Sequence, residues 1–255
     1  MADQDQQKKT AGIFITFEGG DGAGKTTHIT FLASCLRAMG HEVICLREPG
    51  GTSVGEDLRA IVLDPKNAGL CAESELLIYE AARAQIIREV IIPALARGAV
   101  VLLDRFYDST IAYQVYGRGL PMSFVRQANS FACQGVHPCR TILLTTGASA
   151  EEGLERATHH GDADRLEQAG TSFHARVNNG FLAIAAENPE RIRVVNSSHR
   201  SKISLVGGAI PSYGKKASST RSFSVIPAKR RASIFPRIDA GGRRIREHLR
   251  SGSGP

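Results

Sequence analysis

Five short apolar stretches dominate the pattern of hydrophobic and polar positions along the chain. Each is rich in Val, Ile or Leu, and none alternates regularly between apolar and polar residues. Parallel strands that are covered on both faces have this pattern. The sequence therefore predicts five buried strands, at residues 12–17, 42–47, 99–103, 141–145 and 191–195.

Longer segments with helical periodicity lie between these strands. Residues 26–40 repeat apolar side chains at the spacing of one helix face, and Gly40 is a typical stop signal. Residues 73–97 predict a second helix, in which Pro93 is expected to cause a kink or an interruption. Strands that alternate with helices imply right-handed crossovers, so the predicted fold class is α/β, with a doubly wound parallel sheet flanked by helices.

A glycine-rich loop joins the first predicted strand to the first predicted helix. Its sequence, EGGDGAGKTT, fits the pattern G-x-x-x-x-G-K-[ST], with Lys25 and Thr26 at its end. A pattern this short also occurs by chance, but a strand before it and a helix after it favour a phosphate-binding loop. In such a loop, Lys25 neutralises the β- and γ-phosphates and the Thr26 hydroxyl binds Mg²⁺. The predicted ATP-binding residues are Gly19, Gly20, Asp21, Gly22, Ala23, Gly24, Lys25, Thr26 and Thr27.

A second polar group follows the third predicted strand. Asp104 lies at its end, where a carboxylate can hold hydrated Mg²⁺ opposite the phosphate loop, although an acid there can also cap a helix. Arg105 comes next, Arg47 ends the second strand, and Arg83 lies in the helix between them. A single arginine is usually a surface residue. Three at one sheet edge suit a kinase whose acceptor is itself a phosphate, because repulsion between two anions is the obstacle to that reaction.

Composition narrows the class of protein. The chain has 255 residues, 42% of them hydrophobic, and no apolar run of the length that crosses a membrane. Residues 1–11 are polar and lack the apolar segment of a secretory signal, so a disordered N-terminus is expected. The five cysteines form no C-x-x-C pair, which favours reduced intracellular thiols over a zinc site. These features predict a cytoplasmic protein without membrane contact.

The net charge of +7 is distributed unevenly. Residues 199–255 hold 13 of the 32 Lys and Arg residues but 2 of the 25 Asp and Glu residues, so this segment carries +11 and the rest of the chain −4. Serine, glycine and basic residues dominate the segment, which predicts a disordered tail. Two hypotheses remain open for it. It is an appendage that contacts nucleic acid or another anionic surface, or it is aberrant sequence produced by a shifted reading frame, which its abrupt change of composition favours.

Four motifs in a fixed order give the chain a family resemblance. FEGGDGAGKTT, LREPGGT, LLIYEAARAQ and DRFYDSTIAYQ resemble thymidylate kinase (dTMP kinase) of the bacterial type, over residues 12–198. The resemblance implies transfer of a phosphoryl group from ATP to dTMP, with Mg²⁺, in the synthesis of dTDP. It also implies a homodimer formed through helices that flank the sheet. A P-loop thymidylate kinase-like domain is therefore expected at residues 12–198.

The resemblance also assigns roles around the acceptor phosphate and the base. Arg47 and Arg105 are implied to bind the phosphate of dTMP. Tyr79 is implied to stack on thymine, in a position where the family usually has phenylalanine, and Arg83 to hydrogen-bond an edge of the base. Without the resemblance, a tyrosine on an apolar helix face would more often be part of the core.

Further roles concern the sugar and the catalytic step. Thr110 and Gln114 are implied to lie near the base, and Tyr113 to pack against C2′ and disfavour a ribose hydroxyl. Asp21 resembles an acid that contacts the acceptor and has been regarded as a base, although it can also simply cap the loop. Glu48 is implied to lie near the metal or the sugar.

A mobile lid is implied at about residues 150–170. Its DRLE motif matches the family, and Arg156 and Arg165 match arginines that act on the phosphates together with Lys25, Arg105 and Asp21. Related lids have further basic residues where this chain has Thr158 and His160. Two alternatives to a fully active dTMP kinase therefore remain: another (deoxy)nucleoside monophosphate kinase, or a nucleotide-binding protein with impaired catalysis.

Overall fold

A five-stranded parallel sheet forms the centre of the computed structural model, which describes residues 12–145 and 164–197. Its strands lie in the order β2-β3-β1-β4-β5. After β1 the chain crosses to an edge at β2, returns to β3, and then continues on the other side of β1, which confirms the doubly wound prediction. Each strand begins and ends within one residue of its predicted bounds. The strands are β1 (Ile13–Glu18), β2 (Val43–Arg47), β3 (Val100–Asp104), β4 (Arg140–Thr145) and β5 (Ile192–Asn196).

Helices connect the strands and cover both faces of the sheet. They are α1 (Lys25–Ala38), α2 (Ser53–Leu63), α3 (Ala72–Ile86), α4 (Ile92–Ala96), α5 (Tyr107–Thr110), α6 (Met122–Cys133) and α7 (Thr171–Glu187). Two π-helical segments, Ile87–Ile91 and Ile111–Gly117, directly follow α3 and α5. Among the described residues, no helix has the length and apolar character that crossing a membrane requires.

The predicted interruption near Pro93 is confirmed. The long helical pattern of residues 73–97 divides into α3, the π-helical segment Ile87–Ile91 and α4, and Pro93 lies in the first turn of α4. Proline has no N–H to donate to residue 89, and its ring crowds that carbonyl. Widening the preceding turn relieves the crowding, which accounts for the position of the π-helical segment.

The core has one layer on each side of the sheet. Val101 and Leu103 of β3 pack with Phe14 and the α3–α4 region, whereas Val100 and Leu102 pack with α1. Strand β3 is therefore buried on both faces, as predicted.

That prediction is wrong for the two edge strands. Strand β2 is buried at Val43 but partly exposed beyond it, and in β5 only Ile192 is buried. Val194 and Val195 are 51% and 39% exposed. An edge strand has a neighbour on one side only, so fewer side chains cover it.

Parallel pairing gathers the carboxyl ends of three strands at one sheet edge. Phe17 of β1 and Arg47 of β2 both lie opposite Asp104 of β3 in the strand register. The phosphate loop, Arg47 and Arg105 therefore meet at this edge, although they are far apart in the sequence. The disordered N-terminus expected at residues 1–11 and the tail expected at residues 199–255 lie outside the described residues.

Candidate active site

The glycine-rich loop has the conformation that its sequence predicts. Gly19, Gly22 and Gly24 have φ values of 134°, 69° and 86°, which residues with a Cβ rarely adopt. A Cβ at Gly19 would also collide with the carbonyl oxygen of Leu144. The loop leads directly into α1, so the free N–H groups of the first helical turn face the same space as the loop.

Lys25 lies in the floor of this loop. It is buried, and its Nζ donates to the carbonyl oxygens of Gly19 and Gly20 at 3.2 and 3.0 Å. Burial, and then repulsion by the Arg105 guanidinium, lower the pKa of Lys25 to about 8. An anion bound in the loop would favour the charged ammonium form.

Thr26 and Asp104, the predicted metal ligands, lie next to each other at the edge of the loop. The Thr26 hydroxyl donates to Asp104 Oδ2 at 3.3 Å. A hydroxyl and a carboxylate at the edge of a phosphate-binding loop are the hard oxygen ligands that Mg²⁺ prefers, and phosphates and water complete such a site. The described residues contain no group of three or more His, Cys, Asp or Glu that would hold a metal unaided.

Arg105 stands at the junction between the loop and a second cleft. Its φ is +67°, and its backbone N–H donates to Phe17 O at 2.9 Å, so the turn after β3 is fastened to β1. The guanidinium donates to Gly19 O and Ser109 Oγ, both at 3.2 Å, and to Asp21 Oδ1 at 2.5 Å. Its charge is therefore held beside the phosphate loop.

Asp21 and Tyr113 complete this junction. The Tyr113 hydroxyl donates to Asp21 Oδ2 at 3.2 Å, and the Arg105 guanidinium lies 5.1 Å from the centre of the Tyr113 ring. Burial alone would raise the pKa of Asp21, but the Arg105 and Lys25 charges hold it below its usual range. Asp21 is therefore an ionised hydrogen-bond acceptor.

Glu18 supports the strained turn from below. The residue is 1% exposed, and its carboxyl oxygens accept the Phe106 N–H at 2.8 Å and the Ser109 hydroxyl at 2.6 Å. Burial, and then the nearby Asp108, raise the pKa of Glu18 to about 8. The residue precedes the loop pattern, so the motif alone did not indicate its role.

Two adjoining clefts form the site and share four residues: Asp21, Glu48, Arg59 and Arg105. The first, here called the phosphate cleft, is lined by the loop together with Thr26, Arg47 and Asp104. The second, here called the nucleoside cleft, contains every residue that was predicted to contact the base or the sugar: Tyr79, Arg83, Thr110, Tyr113 and Gln114. The structure thus brings together residues from the loop after β1, from the ends of β2 and β3, from α1, α2, α3 and α5, and from the segment after α5.

Arg83 is held by three polar partners at the back of the nucleoside cleft. It is 2% exposed, and it makes two bonds to Glu48 Oε2, at 2.9 and 2.8 Å, one to Glu80 at 2.8 Å and one to Asn129 at 2.7 Å. These four bonds leave one of its five N–H donors. Burial raises the pKa of Glu48 to about 7 in spite of the Arg83 charge.

Tyr79 combines the two roles that the sequence left open. Its ring packs against the buried cluster around Leu76, and it also lines the nucleoside cleft. Burial raises the pKa of its hydroxyl, which stays protonated at neutral pH.

Arg59 is a cleft residue that the sequence analysis missed. The Thr52 hydroxyl accepts the Gly55 N–H at 2.9 Å and caps α2, which then carries Glu56 and Arg59 on one face. Glu56 pairs with the half-exposed Arg47 at 2.8 Å, and Arg59 donates to Pro49 O at 2.9 Å. The spacing of three residues between Glu56 and Arg59 was the available signal. Ser109, Asp164 and Glu167 also line the nucleoside cleft without having been predicted.

Arg165 does not reach either cleft. Its neighbours Asp164 and Leu166 line the nucleoside cleft, but the Arg165 side chain is 6% exposed and donates to Val62 O at 2.8 Å and to Glu75 Oε2 at 2.5 Å. The expectation that Arg165 acts on the phosphates is not met in this arrangement, because its guanidinium is engaged in a buried ion pair. Arg156, Thr158 and His160 of the expected lid lie outside the described residues.

Comparisons with known proteins agree with this geometry. The family model named thymidylate kinase matches residues 17–205. Thymidylate kinases from Geobacter sp. strain M21 and Deinococcus radiodurans are each 47% identical to this chain, over 193 and 187 residues. Each alignment covers 73% of this chain, and 85% and 89% of the respective relatives. The crystal structure of thymidylate kinase from Ehrlichia chaffeensis is similar with a TM-score of 0.61 and 35% identity, over 73% of this chain and 88% of that one.

Proposed function

The chain belongs to the thymidylate kinase family, and from this premise we propose how the residues of its two clefts act. The protein is a dTMP kinase, which transfers a phosphoryl group from ATP to dTMP and gives dTDP. The two alternatives, a kinase for another monophosphate and a binding protein with impaired catalysis, are not favoured, because the relatives named above are thymidylate kinases.

We propose that the phosphate cleft binds the donor nucleotide. In this proposal the N–H groups of the loop and of the first turn of α1 bind the ATP phosphates, and the Lys25 ammonium neutralises their charge. Thr26 and Asp104 would hold Mg²⁺, which would reduce the negative charge that the acceptor meets.

The position of Arg105 is the main observation behind the proposed binding site of the acceptor. Its guanidinium lies at the boundary of the two clefts and contacts the phosphate loop through Gly19 and Asp21. We propose that it binds the phosphate of dTMP, with Arg47 and Arg59 on the opposite wall. The attacking phosphate oxygen is already anionic, so placement against repulsion is the main requirement for rate.

We propose that Asp21 orients the acceptor and does not remove a proton. A carboxylate whose pKa is lowered by Arg105 and Lys25 is a weak base. Its hydrogen bonds from Arg105 and Tyr113 hold both side chains beside the position of the sugar. Tyr113 then contacts the face of the sugar at C2′, where a ribose hydroxyl would collide.

In the nucleoside cleft, we propose that Tyr79 stacks on thymine and that the remaining Arg83 donor binds a carbonyl oxygen of the base. Thr110, which is buried, and Gln114 line the same cleft. We assign Arg165 to holding this wall through Glu75, whereas the proposed catalytic role of Arg156 stays a prediction.

We also propose a homodimer in the cytoplasm. Leu77 on α3, and Phe124 and Phe131 on α6, are 56%, 50% and 86% exposed, and these two helices pack side by side. Exposed apolar side chains on adjacent helices support association through them. Sedimentation velocity tests this, and a monomer at micromolar concentration would contradict it.

A coupled assay of ADP release tests the proposed acceptor. We expect turnover with dTMP, weaker turnover with dUMP, and little with UMP or CMP, because Tyr113 faces C2′ and the cleft suits thymine. Equal rates with UMP and dTMP would contradict the sugar assignment. Nucleotide binding without any turnover would instead select the impaired-catalysis alternative.

A further inference from the structure

Glu75 is a buried carboxylate on α3 that lies behind the nucleoside cleft. It is 0% exposed, and four N–H groups surround it. Arg118 donates to it at 3.1 and 2.9 Å, Arg165 at 2.5 Å, and Gln114 Nε2 at 2.9 Å. Burial alone would raise the pKa of Glu75, but these hydrogen bonds hold it below its usual range. Glu75 is therefore ionised and can only accept hydrogen bonds.

This acceptor fixes the orientation of the Gln114 amide. Only the NH₂ group of an amide can face a carboxylate, because an amide oxygen placed there would meet a second acceptor. Gln114 is 1% exposed and lies in a packed segment, which leaves its side chain little freedom to turn. Its oxygen is therefore the atom available to the nucleoside cleft, which Gln114 lines together with Arg83.

The cleft thus presents a hydrogen-bond acceptor, the Gln114 oxygen, next to a hydrogen-bond donor, the remaining N–H of Arg83. Thymine and uracil carry the complementary pair, a carbonyl oxygen at C4 and an N–H at N3. Cytosine reverses both, since it has an amino group at C4 and a lone pair at N3. Inside the cleft, each mismatch leaves a polar group without a hydrogen bond.

We infer that Glu75 is a positioning residue for base selection, which excludes cytosine by holding the Gln114 amide in one orientation. The inference rests on the proposed function, because it concerns the base of the same substrate. Glu75 does not touch the base itself and acts through Gln114.

Glu75→Gln is the decisive variant. Arg118 Nη2 and Arg165 Nη2 bind Oε2 of Glu75, whereas Gln114 Nε2 and Arg118 Nε bind Oε1. The guanidinium groups cannot accept a hydrogen bond, whereas the Gln114 amide can reverse. We therefore expect the new amide to keep its oxygen at the two Nη2 groups and to turn its NH₂ group toward Gln114, with loss of the single Arg118 Nε bond. Gln114 then reverses and presents NH₂ to the cleft, where it opposes the N3–H of thymine and suits the N3 of cytosine.

The measurement is the ratio of kcat/KM for dTMP to that for dCMP. In Glu75→Gln we expect this ratio to fall about 10- to 100-fold, mostly through a higher KM for dTMP. Glu75→Asp keeps a group that only accepts, so we expect a ratio near that of the wild type. Arg118→Lys disturbs the same buried cluster but leaves a carboxylate opposite Gln114, so it should lower the melting temperature without lowering the ratio.

A folded Glu75→Gln variant with an unchanged ratio would overturn the inference, as would an equal loss of selectivity in Arg118→Lys. If Glu75→Gln does not fold, the wild-type protein supplies the test with dTMP methylated at N3. Equal kcat/KM for this compound and for dTMP shows that no acceptor reads N3–H, whereas a loss of at least about tenfold supports the inference. Turnover of dTMP by the wild type is measured first, because its absence contradicts the proposed function and not the role of Glu75.

Discussion

At the scale of single residues, the site consists of charges whose positions are set by neighbours that do not react. Arg105 illustrates this, since its strained backbone is fastened by Phe17 and its side chain by Gly19, Ser109 and Asp21. A residue in the left-handed region costs about 1 kcal/mol or more unless its surroundings hold it there. Loss of a supporting contact is therefore expected to displace the guanidinium and to affect function as well.

Arg105→Lys should lower kcat/KM for dTMP by about 100- to 1,000-fold. Lysine keeps the charge but cannot bind Asp21, Gly19 and a phosphate at the same time with one compact group. Steady-state kinetics provide the measurement. Arg97→Lys is the matched control, because Arg97 lies far from the clefts in a half-exposed pair with Glu42. A change of less than about twofold in Arg105→Lys would contradict the assignment.

Glu18 gives a prediction for pH dependence. Its pKa rises from an ordinary 4.5 to about 8 on folding, so the fold favours the neutral acid. The stability that this group contributes is complete below about pH 4.5 and is lost as the pH rises through about 8. Glu18→Gln keeps a neutral group at every pH. Relative to the wild type, the variant should therefore gain free energy of unfolding between pH 5 and pH 8.5, by up to about 1.4 kcal/mol per pH unit.

Urea unfolding at a series of pH values measures this difference. Parallel curves for the two proteins would show that Glu18 titrates normally in the fold. The sign is opposite to that of Asp21 and Glu75, whose pKa values the fold lowers.

At the scale of helices and strands, the sequence pattern predicted the features that neighbouring residues determine. It missed the features that depend on contacts between residues far apart in the sequence. The strands, the loop and the interruption at Pro93 depend on residues close together in the sequence, so their positions were predictable. The exposure of β2 and β5 depends on which strands end at the sheet edges, and periodicity carries no such information. The pairing of Arg165 was not predictable from neighbouring residues either, because its partner Glu75 lies 90 residues away.

The contact between α7 and the π-helical segment Ile111–Gly117 sets the position of Tyr113. A Cβ at Gly180 of α7 would lie 2.7 to 2.9 Å from the ring and Cβ of Tyr116, which cannot move without shifting this segment. Gly180→Ala should therefore lower stability by about 1 kcal/mol, although alanine is the better helix former. We expect KM for dTMP to rise more than KM for ATP, since Tyr113 belongs to the nucleoside cleft.

Thermal unfolding and kinetics together measure this effect, with Gly69→Ala as the control. A Cβ at Gly69 meets nothing within 4 Å, so that substitution should be neutral. A stabilised Gly180→Ala protein would show that the two elements are not tightly packed in solution.

At the scale of the whole molecule, the two clefts at one edge of the sheet have different proposed roles. The phosphate cleft contains the proposed metal ligands Thr26 and Asp104, and the nucleoside cleft contains Tyr79 and Gln114. Asp21, Glu48, Arg59 and Arg105 belong to both. Binding of the acceptor should therefore be separable from binding of the metal, whereas transfer requires both clefts to be filled.

Removal of Mg²⁺ with EDTA tests this division. We expect turnover to stop and the rise in melting temperature caused by ATP to shrink, because Thr26 and Asp104 would hold Mg²⁺ where it offsets the charge of the ATP phosphates. The rise caused by dTMP should persist, since its proposed contacts are side chains. At dTMP concentrations of about 100 times Kd, that stabilisation is about 2.7 kcal/mol, or several degrees in a domain of this size. If EDTA abolished the dTMP effect as well, the metal would have to contact the acceptor directly. The acceptor phosphate would then bind on the phosphate-cleft side of Arg105, next to the metal.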